Sequence, residues 1–335
     1  MRVGFCYNLK KTSDEPFHAD LFAEWDDAET IGAVRSALAR RHEVIPIEGD
    51  EEAFEKFKKY RPQIVFNMAE GMHGTSRESQ IPAMLEMLQI PYTGSDPLTL
   101  AVCLDKAMAK VALNYYGIPN TSFVVVSDDR KKHSFPTFPL IVKPLYEGSS
   151  KGIQNSSLVR NSKQLKEEIH RVLTAYHQPA LVEKFLPGRE FTVALLGNGS
   201  QIEVLPIVEI KFEELPGHIN PIYSFEAKWI WDTVENPLEI FACPARLSAS
   251  LKKKIQSVCR AAYLALGVRD WCRIDVRLDE SGKPFILELN PLPGILPNPD
   301  ANSCFPKAAR TAGISYGQLI NRVLDIACRR VGLKA

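Results

Sequence analysis

The run Ile141-Val142-Lys143-Pro144-Leu145-Tyr146-Glu147-Gly148-Ser149-Ser150-Lys151-Gly152 delivers a lysine on an apolar strand and follows it with a glycine- and serine-rich loop. Such a loop offers unencumbered backbone N–H groups and two hydroxyls, which is what polyphosphate oxygens require. GxxxxGK[ST] is absent, so this is not a P-loop. The loop alone also reads as a surface turn, but a lysine entering an apolar run needs a partner or a ligand. A second cluster pairs Arg273-Ile274-Asp275-Val276-Arg277 with Phe285-Ile286-Leu287-Glu288-Leu289-Asn290-Pro291. On neighbouring strands, period-2 alternation puts Arg273 and Asp275 on one face of the first and Glu288 and Asn290 on one face of the second. Asp275, Glu288 and Asn290 make a hard, oxygen-only set suited to magnesium that also holds phosphate oxygens. The same alternation fits a hairpin with a solvated polar face. In the third run, Leu181-Val182-Glu183-Lys184-Phe185-Leu186-Pro187-Gly188-Arg189-Glu190, apolar faces can sandwich a purine while backbone groups and an acid read its edge. Glu190 could accept from ribose hydroxyls; a plain strand end and turn is the alternative.

These residues need elements to hold them. The first hundred residues alternate: a strand over 3–7, a helix over 28–40, a strand over 43–47, a helix over 51–60 and an apolar run over 64–67. That βαβαβ rhythm predicts a parallel sheet covered by helices, with Asp50 as N-cap of the second helix. A helix over 79–88 and an extended stretch to Ser95 close a first domain, 1–95. Residues 96–186 read as a small α+β unit carrying the phosphate loop: a helix over 106–115, strands over 122–126, 140–143 and 180–184, and a helix over 162–176. Residues 187–335 form a third unit with the metal and catalytic residues. Its strands fall over 191–196, 201–210, 271–278 and 284–289, and its helices over 249–266 and 316–330. Residues 215–245, interrupted by prolines, are too long for a simple connector, and loops of that length carry function or lack order.

At 335 residues the chain exceeds what one core usually sustains, about 250 to 300 residues, so several domains are allowed. Lys+Arg number 41 against Asp+Glu 40, which gives no general attraction to nucleic acid or anionic membrane. The expected partners are therefore small molecules. Seven scattered cysteines without a CxxC pair read as reduced thiols. The histidines, His18 and His73 among them, lack metal-ligand spacing. With no basic leader and no apolar run near roughly 18 residues, the expected location is the cytoplasm.

Together the motifs resemble the ATP-grasp superfamily, and within it the D-alanine:D-alanine ligase family, over nearly the whole chain. The resemblance is carried by Glu70-Gly71 with Gly74, Ile90-Pro91-Tyr92-Thr93-Gly94-Ser95, Leu104-Asp105-Lys106, Val142-Lys143-Pro144 and Gly148-Ser149-Ser150. It continues through Glu226-Ala227-Lys228, Cys243-Pro244-Ala245, Arg273-Ile274-Asp275 and the run from Glu288 to Gly294. It implies an ATP-grasp fold behind an N-terminal parallel-sheet domain, with ATP between the central and C-terminal units. By the same resemblance Lys106 and Lys143 hold phosphates, Ser149 and Ser150 lie in the loop that closes over them, and Glu183, Lys184 and Leu186 contact adenine. Glu190 contacts ribose, and Asp275, Glu288 and Asn290 bind two magnesium ions, for which manganese can substitute. Arg273 stabilises the tetrahedral intermediate, and the mobile segment around 222–229 brings Lys228 to a substrate carboxylate. Relatives are often dimers, so the resemblance allows a homodimer, while the sequence itself does not set the oligomeric state.

The departures fall on the amino-acid pocket. Glu70-Gly71 stands where the family carries His-Gly, and Thr75-Ser76-Arg77-Glu78 stands for Glu-Asp-Gly-Thr. Trp229 replaces a tyrosine, and Ser303 is the candidate for a carboxylate-binding serine beyond a lengthened loop. Glu24 is the candidate amine-binding glutamate. Glu24, Glu70, Arg77, Trp229 and Ser303 are thus the expected substrate contacts of a divergent member. The expected activity is ADP-forming carboxylate–amine ligation in specialised biosynthesis. The alternatives are D-alanine:D-alanine (or D-lactate) ligation for cell walls and a non-catalytic ATP-binding regulator.

Overall fold

The computed structural model describes residues 1–11, 22–215, 219–228, 238 and 240–334. In the N-terminal unit, β1 (Arg2–Tyr7), α1 (Ala28–Ala39), β2 (Glu43–Glu48), α2 (Ala53–Tyr60), β3 (Ile64–Asn67) and α3 (Gln80–Met87) follow one another. The strands form a parallel sheet in the order β2-β1-β3. Asp27 caps α1 by accepting the N–H of Thr30 at 2.7 Å. Asp50 is not the cap of α2: that helix starts later, at Ala53, and Asp50 instead accepts the N–H of Glu52 at 3.0 Å and pairs with Lys56 at 3.1 Å.

The middle of the chain runs α4 (Pro97–Leu104), α5 (Lys106–Tyr115), β4 (Phe123–Val126), β5 (Leu140–Pro144), β6 (Leu158–Val159), α6 (Ser162–Ala175) and β7 (Ala180–Lys184). Its strands make an antiparallel sheet, β4-β7-β5-β6. The apolar stripe of α6, Leu165, Ile169 and Val172, packs on Val142 and Val182 of that sheet. Helix α4, absent from the sequence reading, is announced by Asp96 as N-cap and Pro97 in the first turn.

The remaining elements are β8 (Glu190–Leu196), β9 (Glu203–Val204), β10 (Val208–Ile210), β11 (Phe241–Ala242), α7 (Ala249–Ala265), β12 (Trp271–Leu278), β13 (Pro284–Asn290), α8 (Cys304–Thr311) and α9 (Tyr316–Arg330). The third sheet has the order β11-β10-β8-β12-β13, with β9 also on β8. The single strand expected over 201–210 is broken between β9 and β10, where Pro206 has no N–H for the ladder. Cys103 of α4 and Leu113 of α5 pack into the core of this third sheet with Ile255 and Tyr263 of α7. Helix α9 returns to the N-terminal unit, where Leu319, Val323 and Leu324 share a core with Val3, Phe5, Val34 and Leu38. Asp270, fully buried, ties the units together: it accepts the N–H of Gly94 at 2.8 Å, Nδ2 of Asn198 at 2.8 Å and the guanidinium of Arg330 at 2.7 Å. Among the described residues no helix is long and apolar enough to cross a membrane.

Candidate active site

Strands β12 and β13 pair so that Arg273 faces Asn290 and Asp275 faces Glu288. The alternation read from the sequence therefore brings all four side chains to one face. Arg273 donates to both carboxylate oxygens of Asp275 at 3.2 and 3.1 Å, and Asn290 Nδ2 donates to Oδ2 of Asp275 at 3.2 Å. Burial pushes Asp275 up and Glu288 adds to the rise, with Arg273 opposing. Burial also works against the charge of Glu288, yet Lys106, Lys143 and Arg273 outweigh it and hold that carboxyl down to about 2. Two carboxylates of one site are thus driven apart in acidity by where the cations stand.

Three lysines approach the same face. Lys106, at the start of α5, lies 3.9 Å from Glu288 and donates to the carbonyl of Glu147. Lys143 of β5 pairs with Glu183 of β7, and Lys110, one turn beyond Lys106, reaches the same carboxylate at 2.5 Å. Thr121 donates to Glu183 at 2.6 Å and accepts from Lys110 at 2.9 Å, while Lys110 also reaches the carbonyl of Leu287 at 3.4 Å. Against the cost of burial, the two lysines hold Glu183 down to about 2. Glu183 is therefore a counter-ion that aims Lys143, and it also lines the cavity where a base edge was expected. The ammonium of Lys184 is similarly spent on the carbonyls of Thr137 at 3.0 Å and Phe138 at 3.3 Å. Glu190 pairs with Arg277 at 2.7 Å, and Arg277 stacks on Phe185 and Phe212. Lys110, Thr121 and Arg277 were missed in the sequence, although Lys106 and Lys110 at i, i+4 share one helix face.

The glycine–serine loop is held in shape by its neighbours. Ser149 and Ser150 both have positive φ, 50° and 61°, a conformation that side-chain-bearing residues adopt at a cost. Glu24 accepts the N–H of Gly148 at 2.6 Å and the guanidinium of Arg77 at 2.7 Å. Arg77 also donates to the carbonyl of Tyr146 at 2.9 Å and lies 3.4 Å from Glu147. The segment 219–228 lies against the loop: Ser150 Oγ donates to the carbonyl of Tyr223 at 2.9 Å, Phe225 N–H to Ile153 at 2.7 Å, and Asn220 N–H to Oδ1 of Asn155 at 2.7 Å. Lys228 is lowered to about 8 by burial and then by the nearby charge of Arg273.

Three contiguous cavities open among these groups. The largest, about 260 Å³, is walled by Lys143, Ser149, Ser150, Glu183, Lys184, Leu186, Glu190, Asp275 and Glu288, with Ile141, Ile153, Phe185, Ile222 and Leu287 as apolar surface. A second, about 80 Å³, lies among Glu24, Glu70, Glu78, Lys106, Ser149, Lys228, Arg273, Glu288 and Asn290. A third, about 20 Å³, adds Asp26, Met68 and Trp271 to Glu24 and Glu70. Glu24 borders all three. Of the expected substrate residues, Glu24 and Glu70 line cavities, and Arg77 lines none of the three; it stands behind the wall as a strut for Glu24. Ser303 lines the largest cavity, but its hydroxyl is engaged with the loop backbone, accepting from Leu296 N–H at 3.1 Å and donating to the carbonyl of Gly294 at 3.2 Å. Trp229 lies outside the described residues.

The fold is that of an ATP-grasp protein. It is similar over 98% of both chains, at a TM-score of 0.73 and 23% identity, to the crystal structure of D-alanine–D-alanine ligase from Bacillus anthracis complexed with ATP. The family model described as D-ala D-ala ligase C-terminus matches residues 113–325, and the chain belongs to that family. It is 33% identical over 263 residues to D-alanine–D-alanine ligase of Bordetella avium, covering 77% of each chain. It is 38% identical over 315 residues to the uncharacterized protein y4sG of Sinorhizobium fredii, covering 91% of this chain and 89% of the relative.

Proposed function

We propose that this protein is an ATP-dependent carboxylate–amine ligase that works through an acyl phosphate and releases ADP and phosphate. The observation that carries this reading is that Lys228 and Arg273 belong to the walls of both larger cavities. A group passed from nucleotide to substrate has to cross that shared wall. The largest cavity, with its apolar flank, Glu190 and the cation Lys143, suits a nucleotide whose phosphates point toward Lys106 and the Ser149–Ser150 turn. The second cavity suits the substrate that is activated or that attacks.

The donor set also fits magnesium. Asp275, Glu288 and the amide oxygen of Asn290 are all hard ligands, and among the described residues no group of three or more His, Cys, Asp or Glu could hold a metal unaided. The protein would supply part of a coordination shell and leave phosphate oxygens to complete it. When bound, the metal would neutralise charge on the polyphosphate. The chain's own residues do the rest. Lys143, aimed by Glu183, and Lys106 neutralise and orient the phosphates, and Lys228 holds the substrate carboxylate. A carboxylate oxygen forms a bond to the γ-phosphorus as the bond to ADP breaks. The free amine then bonds to the acyl carbon, Arg273 stabilises the oxyanion of the tetrahedral intermediate, and phosphate leaves with its bridging oxygen, taking up the proton that the nitrogen gives off. The segment 219–228 shields the acyl phosphate from water.

Arg273→Ala should abolish amide formation while leaving ATP affinity within a few-fold, as read by product analysis and calorimetry. Near-normal turnover would remove Arg273 from the mechanism. D-alanine–D-alanine ligation is the second reading, favoured by the named activity of the Bordetella relative. A substrate panel in which only D-alanine with D-alanine supports amide formation would establish it in place of a specialised product.

A further inference from the structure

The charge of the second and third cavities is uneven. The second is lined by the cations Lys106, Lys228 and Arg273 and by the acids Glu24, Glu70, Glu78 and Glu288, and in the third Asp26 joins Glu24 and Glu70 with no Lys or Arg in the wall. The cations that act on these acids are Arg77 and, for Glu78, also Lys106, but Arg77 is bonded to Glu24 and to the carbonyl of Tyr146, and Lys106 to the carbonyl of Glu147. Among the described residues no hydrogen bond or ion pair reaches the carboxylate of Glu70 or Glu78. Burial, and then the neighbouring acids Glu78, Glu24 and Asp26, push Glu70 well above the ordinary carboxylate range. Burial and then Glu24 push Glu78 up to about 7, with Arg77 and Lys106 opposing. The third cavity is also bounded by Trp271, 1% exposed, whose indole N–H has no acceptor. Partly buried carboxylates without a direct partner are costly, and here they line the cavity that adjoins the reacting groups.

We propose that the substrate seated in the second cavity, with its reacting end at Arg273, is a basic amino acid whose side-chain ammonium or guanidinium lies between Glu70 and Glu78. This rests on the ligase reading above. A neutral side chain leaves both carboxylates without a partner, and an acidic one meets like charge. Glu24 cannot supply the same recognition alone, because it is shared with Arg77 and with the N–H of Gly148.

The test sets cationic amino acids against uncharged analogues of similar shape, lysine against norleucine and arginine against citrulline, in both enantiomers. Amide product and phosphate release are measured with ATP, and binding is measured by calorimetry with ADP present. The expected preference for the cation is about 100-fold or more in kcat/KM, the scale on which a site built for a polar group rejects an analogue lacking it. Glu70→Gln and, separately, Glu78→Gln should each reduce that preference by about tenfold or more, with ATP affinity within a few-fold as the sign of an intact fold. Norleucine and citrulline used as well as lysine and arginine would overturn the assignment and leave the ligase reading standing. Preferential binding of the basic amino acids without amide from any pair would overturn the ligase reading and keep the charge assignment. Neither preference nor product would end both.

Discussion

Glu78 carries a cost that depends on pH. Its folded pKa, about 7, lies above its ordinary 4.5, so the folded state binds its proton more tightly than the unfolded chain does. The stability this proton gives is fully present below pH 4.5 and is lost as the pH rises through about 7. Glu78→Gln should therefore be more stable than the parent at pH 8 by about 1 to 3 kcal/mol and nearly equal to it at pH 4. Urea denaturation at the two pH values checks this, and equal differences at both would contradict it. At this scale the sequence shows chemistry unevenly. Lys143, Arg273 and Asp275 could be read because each interrupts an apolar run. Glu183 could not be read as the counter-ion of Lys143 and Lys110, because its partners come from β5 and α5 and meet it only after folding.

Among the elements, the hairpin of β12 and β13 was legible because strict alternation and the turn Asp279-Glu280-Ser281-Gly282 are local signals. Helices α4 and α8 were not read from the sequence. Each is one of eight residues, and α8 carries Pro306 within it. The contact between the loop 148–155 and the segment 219–228 was likewise invisible, since it is made largely by backbone groups distant in sequence. It has a functional reading that can be tested. Asn155→Ala removes the acceptor for the N–H of Asn220, a loss of about 1 kcal/mol. The expected result is faster hydrogen exchange over 219–228 and a several-fold rise in phosphate release unaccompanied by amide, with ATP affinity little changed. Unaltered exchange in that segment would count against its acting as a shield.

Across the whole molecule the alternating first hundred residues predicted the parallel sheet, and the third sheet followed from its strands. The return of α9 did not, because nothing in a terminal amphipathic helix says which surface it will cover. That return has a consequence for the order of events during synthesis. The core of the first sheet is shared by Val3, Phe5, Val34 and Leu38 with Leu319, Val323 and Leu324, and Asn321 donates to the carbonyl of Ala37 at 2.9 Å. Contacts spanning nearly the full length of a chain are the last to form and the slowest to find. The first sheet is thus completed by a helix that is made 284 residues after its partner on α1. A chain halted after residue 310 should be cut by protease within α1, whereas the full chain should resist there. Equal resistance would show that the first sheet matures without waiting for its final helix.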